Sequence, residues 1–338
     1  MKLRNIFLFI CTLLLINTVK AQDPHFSQFF SSPLTLNPAF TGKFDGIFRL
    51  AANHRDQWPS IPKAYVTTSG SVDFGILKKA LPENDILGIG FSGLSDQSAD
   101  NALKLNFGSL SMSYHKALDE EGNNTFGAGI QATYSSLNLD VTKLRFEDQL
   151  TANGFTKPTT SEVLTNGSTQ NYFDVNAGLL FSGSSTGENN YYFGASVYHI
   201  NQPAVGFIDQ LWLLQPRLTI HGGYSTPIDD KNGFHSSAIF QYQNQASEFV
   251  AGGAFSRRLN DVDNEKVSNL YLGAWYRLKD AVIPYVGLEF NNILLGFSYD
   301  VNVSSLKAAT ASKGGTEISL IYIQKKEEHG KGVPCPRF

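Results

Sequence analysis

Charge is scarce in this chain: Asp, Glu, Lys and Arg make up 17% of it, against about a quarter in ordinary soluble domains. The net charge of −3 gives no sign of nucleic-acid binding. Cysteine is scarcer still, with only Cys11 and Cys335. Cys11 falls inside the apolar run Ile6 to Ile16, behind Lys2 and Arg4 and ahead of Val19-Lys20-Ala21. That order, with small side chains at the −3 and −1 positions, is the order of a secretory signal peptide, here residues 1–21 with cleavage after Ala21. The run is shorter than the roughly 20 residues of a spanning helix. Cys11 also stands too early for a lipoprotein acylation site. Cys335 is then the sole thiol of the exported chain, which excludes an internal disulfide. No later apolar run approaches the length of a transmembrane helix.

Aromatics and glycine are what the chain has in quantity: 25 Phe, 14 Tyr and 30 Gly. They fall in alternating patterns of period two. Phe126, Ala128, Ile130, Ala132 and Tyr134 share one face, and Gly127, Gly129, Gln131 and Thr133 the other. Leu270, Leu272, Ala274, Tyr276 and Leu278 oppose Arg277; Ile293, Leu295, Phe297, Tyr299 and Val301 oppose Leu294, Gly296, Ser298 and Asp300; Ile318, Leu320 and Tyr322 oppose Glu317 and Ser319. A soluble sandwich or propeller would turn the apolar face to a core, and a membrane barrel would turn it to lipid. The segments favour the barrel because they run to about ten residues or more, longer than the usual five or six. Aromatics at their ends suit interfacial girdles.

These windows predict an all-β, transmembrane antiparallel β-barrel of about fourteen strands, near 46–56, 64–74, 85–95, 103–116, 124–137, 172–183, 190–200, 215–226, 234–244, 247–258, 267–278, 281–291, 292–302 and 314–325. An even count puts both ends of the wall on one side, expected to be the periplasm. The polar stretch 138–171 is then an external loop, while 119–123, 229–233 and Asn291-Asn292 are short periplasmic turns. The expected organisation is a signal peptide (1–21), a plug-like N-terminal segment (22–45), the barrel (46–326) and a periplasmic tail (327–338), with both mature termini periplasmic.

Catalytic chemistry has little support. Gly88-Ile-Gly-Phe-Ser-Gly93 fits a dinucleotide fingerprint in letters, but it lies inside an alternating strand and no helix follows to receive a pyrophosphate. Its glycines make room in a lumen or ease curvature. Gly183-Ser-Ser-Thr-Gly187 fits a nucleophile elbow, yet falls in a turn between strands. The seven histidines show no metal-ligand spacing, and the pairs Glu120-Glu121 and Glu327-Glu328 read as solvated charges. No enzyme activity and no cofactor are expected. Arg55, Asp73, Arg217, Arg277, Asp300 and Glu317 each sit on or beside a strand with an apolar face. A basic group facing mid-bilayer lipid costs about 2–4 kcal/mol, so these groups should turn inward and pair. They form a lumen salt-bridge network or a partner-binding surface inside the barrel.

From Gln22 the chain reads Gln-Asp-Pro-His-Phe-Ser-Gln-Phe-Phe-Ser-Ser-Pro-Leu-Thr-Leu-Asn37-Pro38-Ala-Phe40-Thr-Gly42. This resembles the N-terminal signature of the PorP/SprF family of Bacteroidota. His54-Arg-Asp-Gln-Trp58, Gln215-Pro-Arg217, Leu272-Gly-Ala-Trp-Tyr-Arg277 with Asp280-Ala281, Phe297-Ser-Tyr-Asp300 with Ser305-Leu306, and Cys335-Pro-Arg-Phe338 are similar to further family segments in the same order. Gly315-Thr-Glu317 stands where the family has a Gly-Ser-His-Glu type of start, so the histidine is missing here. The resemblance implies an outer-membrane barrel of type IX secretion. Its partners would be the secretion machinery, or the C-terminal domain of a large secreted protein such as a gliding adhesin. It adds Asn37, Pro38, Phe40 and Trp58 to the candidate contacts.

Three functions stay open: a secretion-associated scaffold, an outer-membrane channel or transporter for small or hydrophobic solutes, and a soluble secreted β-protein. A lumen filled by 22–45 and by charge pairs favours the first, and an open or apolar path the second. Phe26, Phe29, Phe30 and Phe40 would be exposed in a loose leader, so 22–45 is expected to pack into the barrel. Pro334 and Pro336 keep the tail from ending as a regular strand, which leaves it for partner contact in the periplasm.

Overall fold

The computed structural model describes residues 23–61, 64–160, 169–185, 188–207, 210–261, 268–305 and 307–325. The signal peptide, Gln22 and the tail 327–338 lie outside the described residues.

Period-two alternation has produced strands throughout. The first half of the chain carries β1 (Phe48–Gln57), β2 (Tyr65–Ile76), β3 (Ile86–Ser98), β4 (Leu103–Ala117), β5 (Thr125–Leu139), the two-residue β6 (Leu150–Thr151) and β7 (Gly154–Phe155), β8 (Thr169–Gly183) and β9 (Asn190–Tyr198). The second half carries β10 (Ala204–Phe207), β11 (Gln210–Leu213), β12 (Arg217–Pro227), β13 (Asn232–Gln243), β14 (Ala246–Arg258), β15 (Ser268–Arg277), β16 (Ala281–Phe290), β17 (Ile293–Asn302) and β18 (Lys313–Gln324). Fourteen of them form one closed antiparallel barrel, in which each strand pairs with its neighbours in sequence and β1 closes on β18 from Phe48↔Gln324 to Gln57↔Gly315. Closure leaves no free edge, as a lipid environment demands. Every expected window overlaps a wall strand, and the largest offsets are those of β3 and β8, which are longer than anticipated. The hairpins β6–β7 and β10–β11 were not anticipated; they form separate two-stranded sheets within the connections 140–168 and 199–216, and β10 is tied to β8 through Gln170.

The burial pattern follows the alternation. Outward positions of β5 are exposed and inward ones buried, with Ile130 64% exposed beside Gln131 at 4%. Phe126, Phe255 and Phe290 ring the exterior toward one end, and Tyr134, Phe173, Tyr242 and Tyr276 toward the other, all exposed. Two aromatic girdles bounding an apolar band are the signature of a barrel seated in a bilayer. Among the described residues no helix is long and apolar enough to cross a membrane.

The two ends of the barrel differ. One, the loop end, carries the long connections 58–64, 140–168, 199–216 and 303–312 and the short ones 99–102, 244–245 and 278–280. The other, the turn end, carries 77–85, 118–124, 184–189, 228–231, 259–267 and 291–292, together with the start of β1 and the finish of β18. Residues 23–45 run through the lumen between them, leaving a cavity beside them at the turn end. Phe29–Ser31 and Pro38–Phe40 are single 3-10 turns and Pro33–Leu36 a single helical turn. Pro33 and Pro38 each open a turn, where the missing N–H costs nothing. The segment is nearly inaccessible, with Leu34 at 1%, Ala39 at 0% and Asn37 at 0% exposed. Its aromatics join wall residues in one cluster: Phe30 packs on Trp275 and edge-on to Tyr285, and Phe40 against Tyr192 and His221.

Candidate functional site in the barrel lumen

The segment's first residues meet a dense set of wall charges at the loop end. Arg55 of β1 and Arg277 of β15 both reach Asp300 of β17, at 3.0 and 2.9 Å. Arg277 also donates to Ser27 Oγ at 2.6 Å and pairs with Glu248 of β14 at 3.1 Å, and Glu248 takes His25 Nε2 at 3.0 Å. The Glu317 carboxylate of β18 accepts two backbone N–H groups, from Ser27 at 2.7 Å and Gln28 at 2.9 Å. The Gln28 amide donates to Ser298 Oγ and the Glu317 carbonyl and accepts from Ser319 Oγ. Removing a charge from water is costly unless paired and hydrogen-bonded, and this network does both.

A second group holds the start of the segment. His199, one residue past β9, sits between two carboxylates, with Nε2 2.7 Å from Asp23 and Nδ1 2.7 Å from Asp174 of β8. Arg217 of β12 approaches Asp23 at 3.4 Å and lies over the Tyr198 ring, and Gln243 of β13 contacts both the backbone and the side chain of Asp23. Burial alone would depress the His199 pKa, but the Asp23 charge and hydrogen bonds to both carboxylates override it and raise it to about 9. Burial would raise Asp23, yet His199 and Arg217 hold it well below the usual carboxylate range.

Two further anchors follow along the segment. Asn37 donates to the Leu179 carbonyl at 2.9 Å and the Ala195 carbonyl at 3.3 Å, contacts His221 Nε2 at 3.0 Å, and accepts from Ala39 N at 2.8 Å. Near the turn end Asp73 of β2 takes Arg49 through both oxygens, at 3.0 and 2.8 Å, and the Gly42 N–H at 2.7 Å. Inward glycines give the segment its room. A Cβ on Gly88 would collide with the Thr41 carbonyl, and one on Gly90 with Leu34 and Asp73. The letters of the dinucleotide fingerprint therefore mark a place of close backbone approach on β3.

Nine of the ten sequence-derived candidates belong to this arrangement: Asn37, Pro38 and Phe40 on the segment, and Arg55, Asp73, Arg217, Arg277, Asp300 and Glu317 on the wall. Trp58 does not join them. It follows β1 with φ of 56°, donates its N–H to the Gly314 carbonyl and packs edge-on to Tyr65, at the rim of the loop end. Sequence reasoning missed Arg49 and Glu248, which share the inward parity of Arg55 and Val250 and were findable from it. It also missed Asp23 and His199, which stand outside the strands where no parity applies.

The route of the segment departs from one expectation. Both ends of the wall lie at the turn end, but Asp23 is bound among His199, Arg217 and Gln243 at the loop end. The first and last described residues, Asp23 and Lys325, are therefore at opposite ends of the barrel, because the segment spans the full lumen before β1 begins. Among the described residues no cluster of three or more His, Cys, Asp and Glu could hold a metal ion.

Residues 18–322 match the family described as type IX secretion system membrane protein PorP/SprF. The chain belongs to this family. A comparison with curated proteins found no match. Among solved structures, the toluene transporter TodX of Pseudomonas putida is similar with a TM-score of 0.51 and 12% identity, over 88% of this chain and 93% of TodX. The CymD monoaromatic hydrocarbon channel gives 0.50 and 12%, over 88% and 94%. At such identities the likeness is one of fold. This PorP/SprF chain thus shares a closed β-barrel fold with these two proteins.

Proposed function

We propose that this PorP/SprF barrel supports the secretion or surface attachment of a large partner protein, such as a gliding adhesin, as part of type IX secretion in the outer membrane. The observation that carries this reading is the filled lumen. Residues 23–45 close it and are held at four places by buried charges and amides, an investment that suits a scaffold rather than a solute path. On this reading the loop end faces outward, as long connections do in outer-membrane barrels, and the turn end faces the periplasm.

The experiment is affinity purification of the tagged protein from outer-membrane extracts in mild detergent. Recovery of a large surface protein's C-terminal domain marks a dedicated helper; recovery of the periplasmic secretion complex marks a core component. Recovery of neither overturns the proposal. A second reading, a channel for small or hydrophobic solutes, draws on the fold shared with TodX and CymD and on a cavity at the turn end. Saturable uptake of a monoaromatic solute by vesicles holding this protein, with no protein partner recovered, would favour it.

A further inference from the structure

The carboxylates of the two groups at the loop end, and Asp73, each face an arginine or a histidine. At the turn end Glu289 does not. It is half-buried near the finish of β16 and accepts only from neutral donors, the Asn269 amide and the Tyr271 hydroxyl of β15, both at 2.7 Å. Among the described residues no cation stands within ion-pair distance of it. A carboxylate taken partly out of water without a counter-charge is costly. Its support is nonetheless ordered. Tyr271 is buried and packs on the His235 ring of β13, and His235 in turn bonds Ser256 of β14 at 3.0 Å. Glu289 thus ends an inward polar row carried by four successive strands, β13 to β16.

This row faces open space. A cavity of about 560 Å³ lies between it and the lumen segment, within the range of small-ligand pockets. Phe30, Leu36 and Phe40 of the segment and Tyr192 of β9 give the cavity apolar and aromatic surface. Leu294 of β17, the register partner of Glu289, adds to it. With Asp45, Glu188, Asp229 and Asp230, which are exposed toward the mouth, five carboxylates line the cavity. Against them stand Lys231, Arg258 and Lys325, since the remaining cation, Arg49, is held by Asp73. The surplus is negative, and aromatic ring faces attract cations too. Carboxylates and rings therefore ask for the same sign of charge.

We propose that this cavity is a binding site for an amphipathic organic cation, an ammonium on an aromatic or alkyl body, with the ammonium at Glu289 and the body on the rings of the segment. The segment closes the floor, so the site is blind and holds its ligand rather than passing it. With the turn end toward the periplasm, the ligand enters from there. A cation bound here is independent of which protein the barrel serves, so failure of one reading leaves the other standing.

The test is calorimetric titration of the full mature protein, folded by gel mobility in a maltoside detergent, with phenylbutyltrimethylammonium. The heat of partitioning into empty micelles is subtracted. Binding should be saturable. Phenylbutanesulfonate, the same body with an anionic head, and tetramethylammonium, a head without a body, should each bind at least about tenfold more weakly. Glu289→Gln keeps the side-chain shape; it should weaken the cation about tenfold and leave the neutral phenylbutanol unchanged. Leu294→Trp fills the cavity and should weaken both. No saturable binding of the cation overturns the proposal. So does equal binding of the sulfonate, or a cation affinity unmoved in either folded variant. Should Glu289→Gln fail to fold, Leu294→Trp and the sulfonate comparison decide the matter.

Discussion

Arg277 and Asp300 meet at 2.9 Å inside the barrel, with Ser27 of the lumen segment bonded to both. Asp300 also receives Arg55, so one carboxylate holds two guanidiniums and a hydroxyl from three parts of the chain. Removing it takes the nearest carboxylate from Arg55, which keeps Glu317 at 4.0 Å, and one of three from Arg277, which keeps Glu248 and Asp280; breaking a buried pair outright costs about 3–5 kcal/mol, an upper bound here. Asp300→Ala should therefore lower the temperature at which the purified barrel loses its compact, heat-modifiable gel mobility by about 5–10 °C. Ser27→Ala removes hydrogen bonds to two charged groups, worth about 1.5–3 kcal/mol each at most, but leaves every ion pair in place, so its shift should be the smaller. Equal shifts would show that Asp300 is not the hub of this network.

Ile130 tests the membrane setting. It lies midway between Phe126 and Tyr134 on the exposed face of β5, within the span of the two girdles. Arginine at the lipid midplane costs about 2–4 kcal/mol. Ile130→Arg should cut the amount of folded protein recovered from outer membranes several-fold, and Ile130→Leu should leave it unchanged. Full recovery of the arginine variant would mean that this face does not meet lipid.

The barrel was legible in the sequence because lipid enforces a rule of period two. Each wall strand presents apolar residues outward at alternate positions, and an inward charge such as Arg277 or Glu317 is read from the parity of its neighbours. The lumen segment obeys no period. Its turns are set by Pro33, Pro38 and Asn37 locally, and its path by partners far away in sequence, as with Ser27 and Glu317 or Asp23 and His199. Composition could say that 22–45 must be buried, since five phenylalanines there need cover. It could not say that the segment spans the lumen from one end to the other, because that depends on which wall strands hold which of its residues.

Gly88 bears on closure. Its Cα faces Thr41 and Gly42 of the segment so closely that a Cβ has no place, and Gly42 is itself in the left-handed region at φ of 70°. Gly88→Val should push the segment off β3 without touching the lipid face. In planar bilayers the wild-type protein should conduct little, and Gly88→Val should raise ion conductance several-fold while the barrel still folds by gel mobility. Unchanged conductance in a folded Gly88→Val barrel would show that residues 40–42 do not form the seal.

The anchor at Asp23 should respond to alkaline pH. His199 has a folded pKa raised to about 9, above the ordinary value of about 6.5. The stabilisation it contributes is thus fully present below about pH 6.5 and is lost as pH rises through about 9. Asp23 stays ionised across that window, because His199 and Arg217 hold its pKa low, so the histidine proton is what departs. The difference in melting temperature between wild type and His199→Gln should be largest near pH 6 and shrink toward zero by about pH 10. Other titrating groups act on both proteins and cancel in the difference. Protection of the Asp23 amide, which bonds to Gln243, against hydrogen exchange, after correction for the intrinsic rise of exchange with pH, should fall over the same interval in the wild type alone. A melting difference that is flat from pH 6 to 10 would show that the charge on His199 does not secure the amino-terminal end of the segment.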